Sequence, residues 1–104
     1  MSIKGSPYPR FKRALATGNL NLIREAAGEL RTVDLGDALT VCMAIRDQEP
    51  DRFERASLHW LARFCVEQAR SAEEVARAAE AFGAMAADPA GALDVLRGLT
   101  AWAR

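Results

Sequence analysis

The chain has 104 residues, half of them apolar, and its 14 Lys/Arg are balanced by 14 Asp/Glu. That length suits a single domain able to bury a core without disulfide or metal staples. A net charge of zero argues against the strongly basic surface expected of a nucleic-acid-binding domain.

Met1 to Tyr8 reads as a flexible arm, because Gly5, Ser6 and Pro7 disfavour regular structure; residues 9–104 then form one helical domain. Pro9 suits the first turn of a short helix, where its missing N–H costs nothing. That helix runs to Thr17 with Phe11, Ala14 and Leu15 inward, and stops at Gly18, since glycine readily takes the left-handed conformation at a helix end. Asn19 caps a second helix, in which Ile23, Ala26, Ala27 and Leu30 recur at three and four. Gly28 weakens it by about 1 kcal/mol relative to Ala; it either allows a close helix crossing or has no packing role. Asp34 caps a third helix, and Asp37 adds negative charge at its positive end. Between Ala38 and Ile45 only Thr40 is polar, the pattern of a buried helix. Pro50 ends this helix near Gln48.

The stretch from Asp51 to Arg70 carries the widest apolar surface. At about 100° per residue, Phe53, Ser57, Leu58, Trp60, Leu61, Phe64 and Cys65 cover more than half of the circumference, wider than the stripe of a surface helix. This pattern predicts a central helix with neighbours on two or three sides. Asp51 and Glu54 have the spacing of a cap and its third-position acid. Ser71-x-x-Glu74 is a capping box that opens a fifth helix, with Val75, Ala78, Ala79, Phe82 and Met85 or Ala86 inward. Asp88-Pro89 places a cap and a first-turn proline before a sixth, lined by Ala92, Val95, Leu96, Leu99 and Trp102.

No segment alternates like a strand. Six helices joined by about two to five residues favour antiparallel neighbours. They pair in order as hairpins over residues 9–32, 34–70 and 72–103. The expected fold is therefore all-α, either a compact orthogonal array or a short α-solenoid; the lack of internal self-similarity favours the array.

The segments FKRALATGNL, DALTVCMAI and HWLARF resemble a group of small all-helical bacterial proteins, over most of the chain. The resemblance implies an all-helical fold, and the group has no established activity to carry over. The segment ATGNLNLIREAA is similar to part of an ankyrin unit, but the Thr-Pro-Leu-His opening is missing and no second copy follows, so an ankyrin array is rejected.

Charge is unevenly placed: residues 1–33 hold six Lys/Arg and two Asp/Glu, residues 34–70 five and seven, and residues 71–104 three and five. A mild positive lobe at the N-terminus suits an acidic partner. The first candidate site is the strip Arg52, Arg55, His59, Arg63 and Arg70 on the helix over 51–70. Aligned guanidinium groups donate paired hydrogen bonds to carboxylate or phosphate, so one reading is contact with an acidic protein surface or nucleic acid. The other is a solvated face, with Arg63 paired to Glu67 four residues on; charged residues mostly face water.

His59, the only histidine, is the residue type most often used as a general base. Cys65 stands six residues away and about 120° round the same helix, so the two do not face each other. Cys42 and Cys65 otherwise read as small buried hydrophobes, and two cysteines make no secreted framework. The Cys/His clustering of a zinc site is absent. Asp47, Glu49 and Asp51 lack the glycine and ligand alternation of a calcium loop. No glycine-rich phosphate loop or nucleophile elbow is present.

A helix-turn-helix over Ala14 to Arg31 is disfavoured by Asn19 and Arg24, where that family carries apolar residues, and by too few base-reading side chains. Tyr8 and Trp102, together with Phe11, are candidate aromatic contacts, since aromatics are enriched in binding cores; the alternative is that Trp102 closes the bundle. Neither enzyme chemistry nor a cofactor is expected.

The leading expectation is a helical protein-interaction module, binding a partner or a second copy, because six short helices leave Phe53, Trp60, Phe64, Phe82 and Trp102 hard to bury internally. A small nucleic-acid-binding regulator using the N-terminal third and the arginine strip is the alternative. MSIKGSPYPR lacks the apolar stretch of a secretory signal, and the longest near-continuous apolar run, Val41–Ile45, is too short for a bilayer. The expected location is cytoplasmic, away from membranes.

Overall fold

The computed structural model describes residues 6–101, with the side chain of Ala101 left out. Among the described residues there are six α-helices and no strand: α1 (Pro7–Thr17), α2 (Leu20–Ala27), α3 (Leu35–Gln48), α4 (Phe53–Glu67), α5 (Ala72–Gly83) and α6 (Pro89–Ala101), with a 3-10 turn at Pro50–Arg52. The all-α class expected from the periodicity is therefore what the chain adopts. The chain divides into two compact units, Met1–Glu54 and Arg55–Arg104, with the boundary in the first turn of α4.

In the first unit α1 packs on α2 and α2 on α3. Phe11, Ala14 and Ile23 form the buried centre, with Leu15, Leu30, Val33 and Val41 packed round it. Helix α1 starts at Pro7, two residues before the expected start. Pro7 and Pro9 both fall in the first turn, whose N–H groups have no intrahelical acceptor anyway. The arm expected over residues 1–8 thus gives up Pro7 and Tyr8 to the helix, and residues 1–5 lie outside the described ones. Gly18 ends α1 at φ 71°, donating its N–H to the Leu15 carbonyl at 3.1 Å.

The Asn19 side chain accepts from the N–H groups of Asn21 and Leu22 at 3.0 and 3.3 Å. Helix α2 ends at Ala27, so Leu30 reaches the core from the following turn. The room foreseen at Gly28 is unused: only carbonyls of its own helix lie within 4 Å of where a Cβ would stand.

Three polar contacts tie this unit together. The Gln48 side chain accepts the Leu20 N–H at 3.2 Å and donates to the Gly18 carbonyl, gripping the α1–α2 turn from the end of α3. Arg24 forks onto Glu49 with two bonds of 2.9 Å. Asp37, only 8% exposed, accepts from the Tyr8 hydroxyl at 3.0 Å and the Lys12 ammonium at 2.9 Å. A buried carboxylate needs such donors to offset lost hydration.

The most enclosed helix is α3, in which no residue from Asp37 to Arg46 is exposed. This corrects the expectation that the helix over 51–70 is surrounded. In α4 only Ser57, Trp60 and Phe64 are buried, while Leu58 and Cys65 are exposed. The inward stripe is narrow because two large rings fill it. Trp60 stacks on Phe64 at 5.3 Å between centroids and meets Phe82 of α5 edge-on at 5.6 Å.

Helix α4 also stops at Glu67, three residues early. The Ala69 N–H returns to the Phe64 carbonyl at 2.9 Å, and the Arg70 N–H goes to the Glu74 carboxylate at 2.8 Å, so neither extends the helix. Ser71 caps α5 through the Glu74 N–H at 3.2 Å, and Glu74 reaches back to Arg70 rather than to Ser71. The second unit closes by α5 packing on α6, with Ala78, Phe82, Met85, Leu96 and Leu99 buried. Asp88 caps α6 through the Gly91 N–H at 3.1 Å.

These contacts set three expectations. Gly18→Ala should destabilise by about 1–2 kcal/mol, the cost of a left-handed residue with a Cβ, and Gln48→Ala by about 1 kcal/mol; both are read from urea unfolding. The second expectation concerns acid. Glu49, bonded by the Arg24 guanidinium, and Glu74, bonded by the Arg70 backbone N–H and guanidinium, are both held below the ordinary glutamate value of 4.5. Groups lowered on folding contribute stability that is complete above that value and lost as pH falls through the folded one. Unfolding free energy should therefore decline on acidification below about pH 4.5, and less steeply in a Glu49→Gln/Glu74→Gln variant. Third, Trp60→Ala should cost about 3–5 kcal/mol, the usual range for a large buried aromatic, whereas Leu58→Ala on the same helix should cost little.

Candidate functional site

The geometry of α4 follows from its two inward rings. Residues four apart on a helix lie about 40° apart, so Trp60 and Phe64 share one side, and Ala62 sits about 160° from each. Around Ala62 the same rotation gathers Arg55, Leu58, His59, Cys65 and Val66 within about 60° of the outward direction. All six are exposed. Leu58 is 56% and Val66 85% exposed, so a branched apolar side chain stands in water near each end of this face.

The arginine strip does not survive as one line of cations. Arg52 lies before α4 in the 3-10 turn, within the first unit, 3.7 Å from Glu49. Arg70 lies beyond the helix end and forks onto Glu74 at 2.8 and 3.2 Å. Arg63 forks onto Glu67 at 2.8 and 3.2 Å, the four-residue pair that the solvated reading foresaw. The side chains of Arg55 and His59 alone of the strip form no hydrogen bond or ion pair among the described residues, and both lie on the outward face. That face holds no carboxylate: of the acids on α4, Glu67 is engaged by Arg63 and Glu54 lies outside it.

Of the aromatic candidates, Phe11 is buried in the first core. Tyr8 is half-exposed, but its hydroxyl donates to Asp37 and Lys12 stands 5.8 Å from its ring centroid, so it serves the α1–α3 contact. The Asp37 bond also raises its pKa. Trp102 lies outside the described residues.

The thiols differ in setting. Cys65 is exposed on α4, contrary to the apolar position assigned to it; Cys42 is buried in α3, where desolvation pushes its pKa to about 11. His59 and Cys65 are separated by about 9 Å of helix rise and 120° of rotation, which rules out a direct pair. Among the described residues no group of three or more His, Cys, Asp or Glu is placed to hold a metal ion. No described helix is long and apolar enough to cross a membrane.

Two shallow grooves lie among the described residues. One, of about 420 Å³, runs between α1 and α2 and is bridged by the Arg10–Glu29 ion pair. The other, of about 500 Å³, lies between α5 and α6 and is floored by Ala81, Ala84, Gly91 and Ala92. A Cβ at Gly91 would stand 2.2 Å from the Asp88 carboxylate, so that glycine serves the α6 cap. Neither groove gathers convergent catalytic groups.

The residues that sequence reasoning missed are Ala62 and Val66. The signal was present: once Trp60 and Phe64 define the inner side, positions 58, 62, 65 and 66 fall opposite. No protein-family model, curated protein or solved structure matches this chain.

The contrast between the thiols is directly measurable. A thiol reagent near neutral pH should label Cys65 in the native protein, and Cys42 only at the rate at which the first unit opens, because the thiolate is the reactive form and burial suppresses it. Mass spectrometry of digested, partly labelled protein distinguishes the two sites.

Proposed function

We propose that this chain is a non-enzymatic helical module that binds another protein through the outward face of α4. The observation that carries the reading is the joint exposure of Leu58 and Val66 on one side of the helix, with Ala62 and Cys65 between them. An apolar stripe left in water on a soluble domain is the signature of a contact surface, and helix faces with anchors at spacings of three, four and seven are a recurrent recognition mode. Nothing in helix propensity demands Leu58 and Val66 there, because Gln, Lys or Glu would serve an exposed helix position about as well as Leu and better than Val.

A nucleic-acid-binding role draws less support. Arg52, Arg63 and Arg70 face carboxylates, as do Arg10, Lys12 and Arg24 in the N-terminal third. Cations neutralised in this way offer little to a phosphate backbone.

The test compares proteins that co-purify from the native host with the wild-type chain and with a Leu58→Gln/Val66→Gln variant. Both positions are exposed, so stability should stay within about 0.5 kcal/mol of wild type. A protein retained by the wild type and lost by the variant is the expected result. An identical retained set for both chains would remove the proposal.

A further inference from the structure

The character of the outward face also specifies the kind of partner. Its apolar residues are bordered on the N-terminal half by Arg55 and His59, neither of which is engaged by a carboxylate of the described residues. No acid of the described residues lies on the face, so the Arg55 guanidinium has no complement there. A second copy docked α4 on α4 antiparallel about Ala62 does not supply it: His59 then meets Cys65, and Arg55 falls opposite position 69, beyond the end of the partner helix at Glu67. The complement is then supplied by a different molecule.

We propose that the outward face of α4 receives an acidic amphipathic helix. Its apolar residues, spaced three and four apart, lie along Leu58, Ala62, Cys65 and Val66, and its carboxylates meet Arg55 and His59. This inference rests on the reading of α4 as a docking surface and adds the charge of the occupant. Charges at the border of an apolar contact act chiefly on selectivity and encounter rate, with a modest effect on affinity. The contact is one helix on one helix, well below the area of a standard stable complex, so binding is weak and reversible.

The experiment is a titration of the isotope-labelled full chain, followed by backbone amide NMR, with two synthetic helical peptides. They share one apolar register; one carries Glu at its polar flanks, the other Lys. The acidic peptide is expected to shift the amides of residues 55–66 and to bind roughly five- to tenfold more tightly than the basic one, a preference that shrinks at high salt. Arg55→Glu, at an exposed position in the first turns of α4 where an acid suits the helix dipole, should abolish or invert that preference while leaving the fold intact by circular dichroism. Equal binding of both peptides, or an unchanged preference in Arg55→Glu, overturns the acidic occupant and leaves the docking surface standing. Concentration-dependent dimerisation that shifts the same amides without peptide makes a second copy the occupant and overturns it likewise. If neither peptide nor dimerisation shifts the α4 amides, the occupant and the docking surface both fall.

Discussion

The contact on which the second unit depends is the aromatic cluster of Trp60, Phe64 and Phe82. Trp60 is 2% exposed and holds two rings at once, one stacked within its own helix and one met edge-on across to α5. Offset and edge-on arrangements are the favoured ones for aromatic quadrupoles, and such pairs add to the gain from burial. The cluster also sets the rotation of α4 about its axis. With two bulky rings committed inward, every other side chain of that helix takes its position by a fixed turn of about 100° per residue. The outward face is a consequence of this commitment, and its apolar residues are stranded in water because the rings occupy the inner side.

The first unit is held differently. Phe11, Leu20, Ile23, Leu35 and Leu39 are buried there, although short helices of this kind are marginal by themselves. Polar side chains add long-range ties to that apolar centre. Gln48, Glu49 and Asp37 reach from α3 and the residue after it to α1, α2 and their turn. Each of these bonds joins residues 25 to 30 positions apart. Helix α3 gains its enclosed character from standing at this junction, with an acidic end anchoring α1 and an amide end gripping the α1–α2 turn.

Ion pairing in the first unit neutralises Arg10, Lys12 and Arg24 on its own carboxylates. On α4 the pairing stops with Arg63, which leaves Arg55 and His59 beside a row of exposed apolar side chains. A surface that sets an unpaired guanidinium beside apolar area has something to gain from a complementary partner on both counts. That combination makes the outward face of α4 the functional candidate of the molecule, ahead of the two shallow grooves.

By itself the sequence determined where each described helix begins, and where α1 to α5 end, to within a few residues. Those limits are local chemistry: Gly18 at a left-handed turn, Asn19, Asp34 and Ser71 accepting first-turn N–H groups, Pro50 barring continuation. It also determined the all-α class, because apolar spacing at three and four belongs to a helix and not to a strand. The apolar run of α3 already marked it as a buried helix, and it is one; only the tertiary structure decided that α4 is half in water. The periodicity of α3 and α4 gives each a broad apolar surface, and periodicity carries no record of how many neighbours are available to cover it. The break-up of the arginine strip was settled in the same way. Whether a guanidinium meets a carboxylate depends on where a helix stops and what lies across a turn, and those distances exist only once the chain has folded.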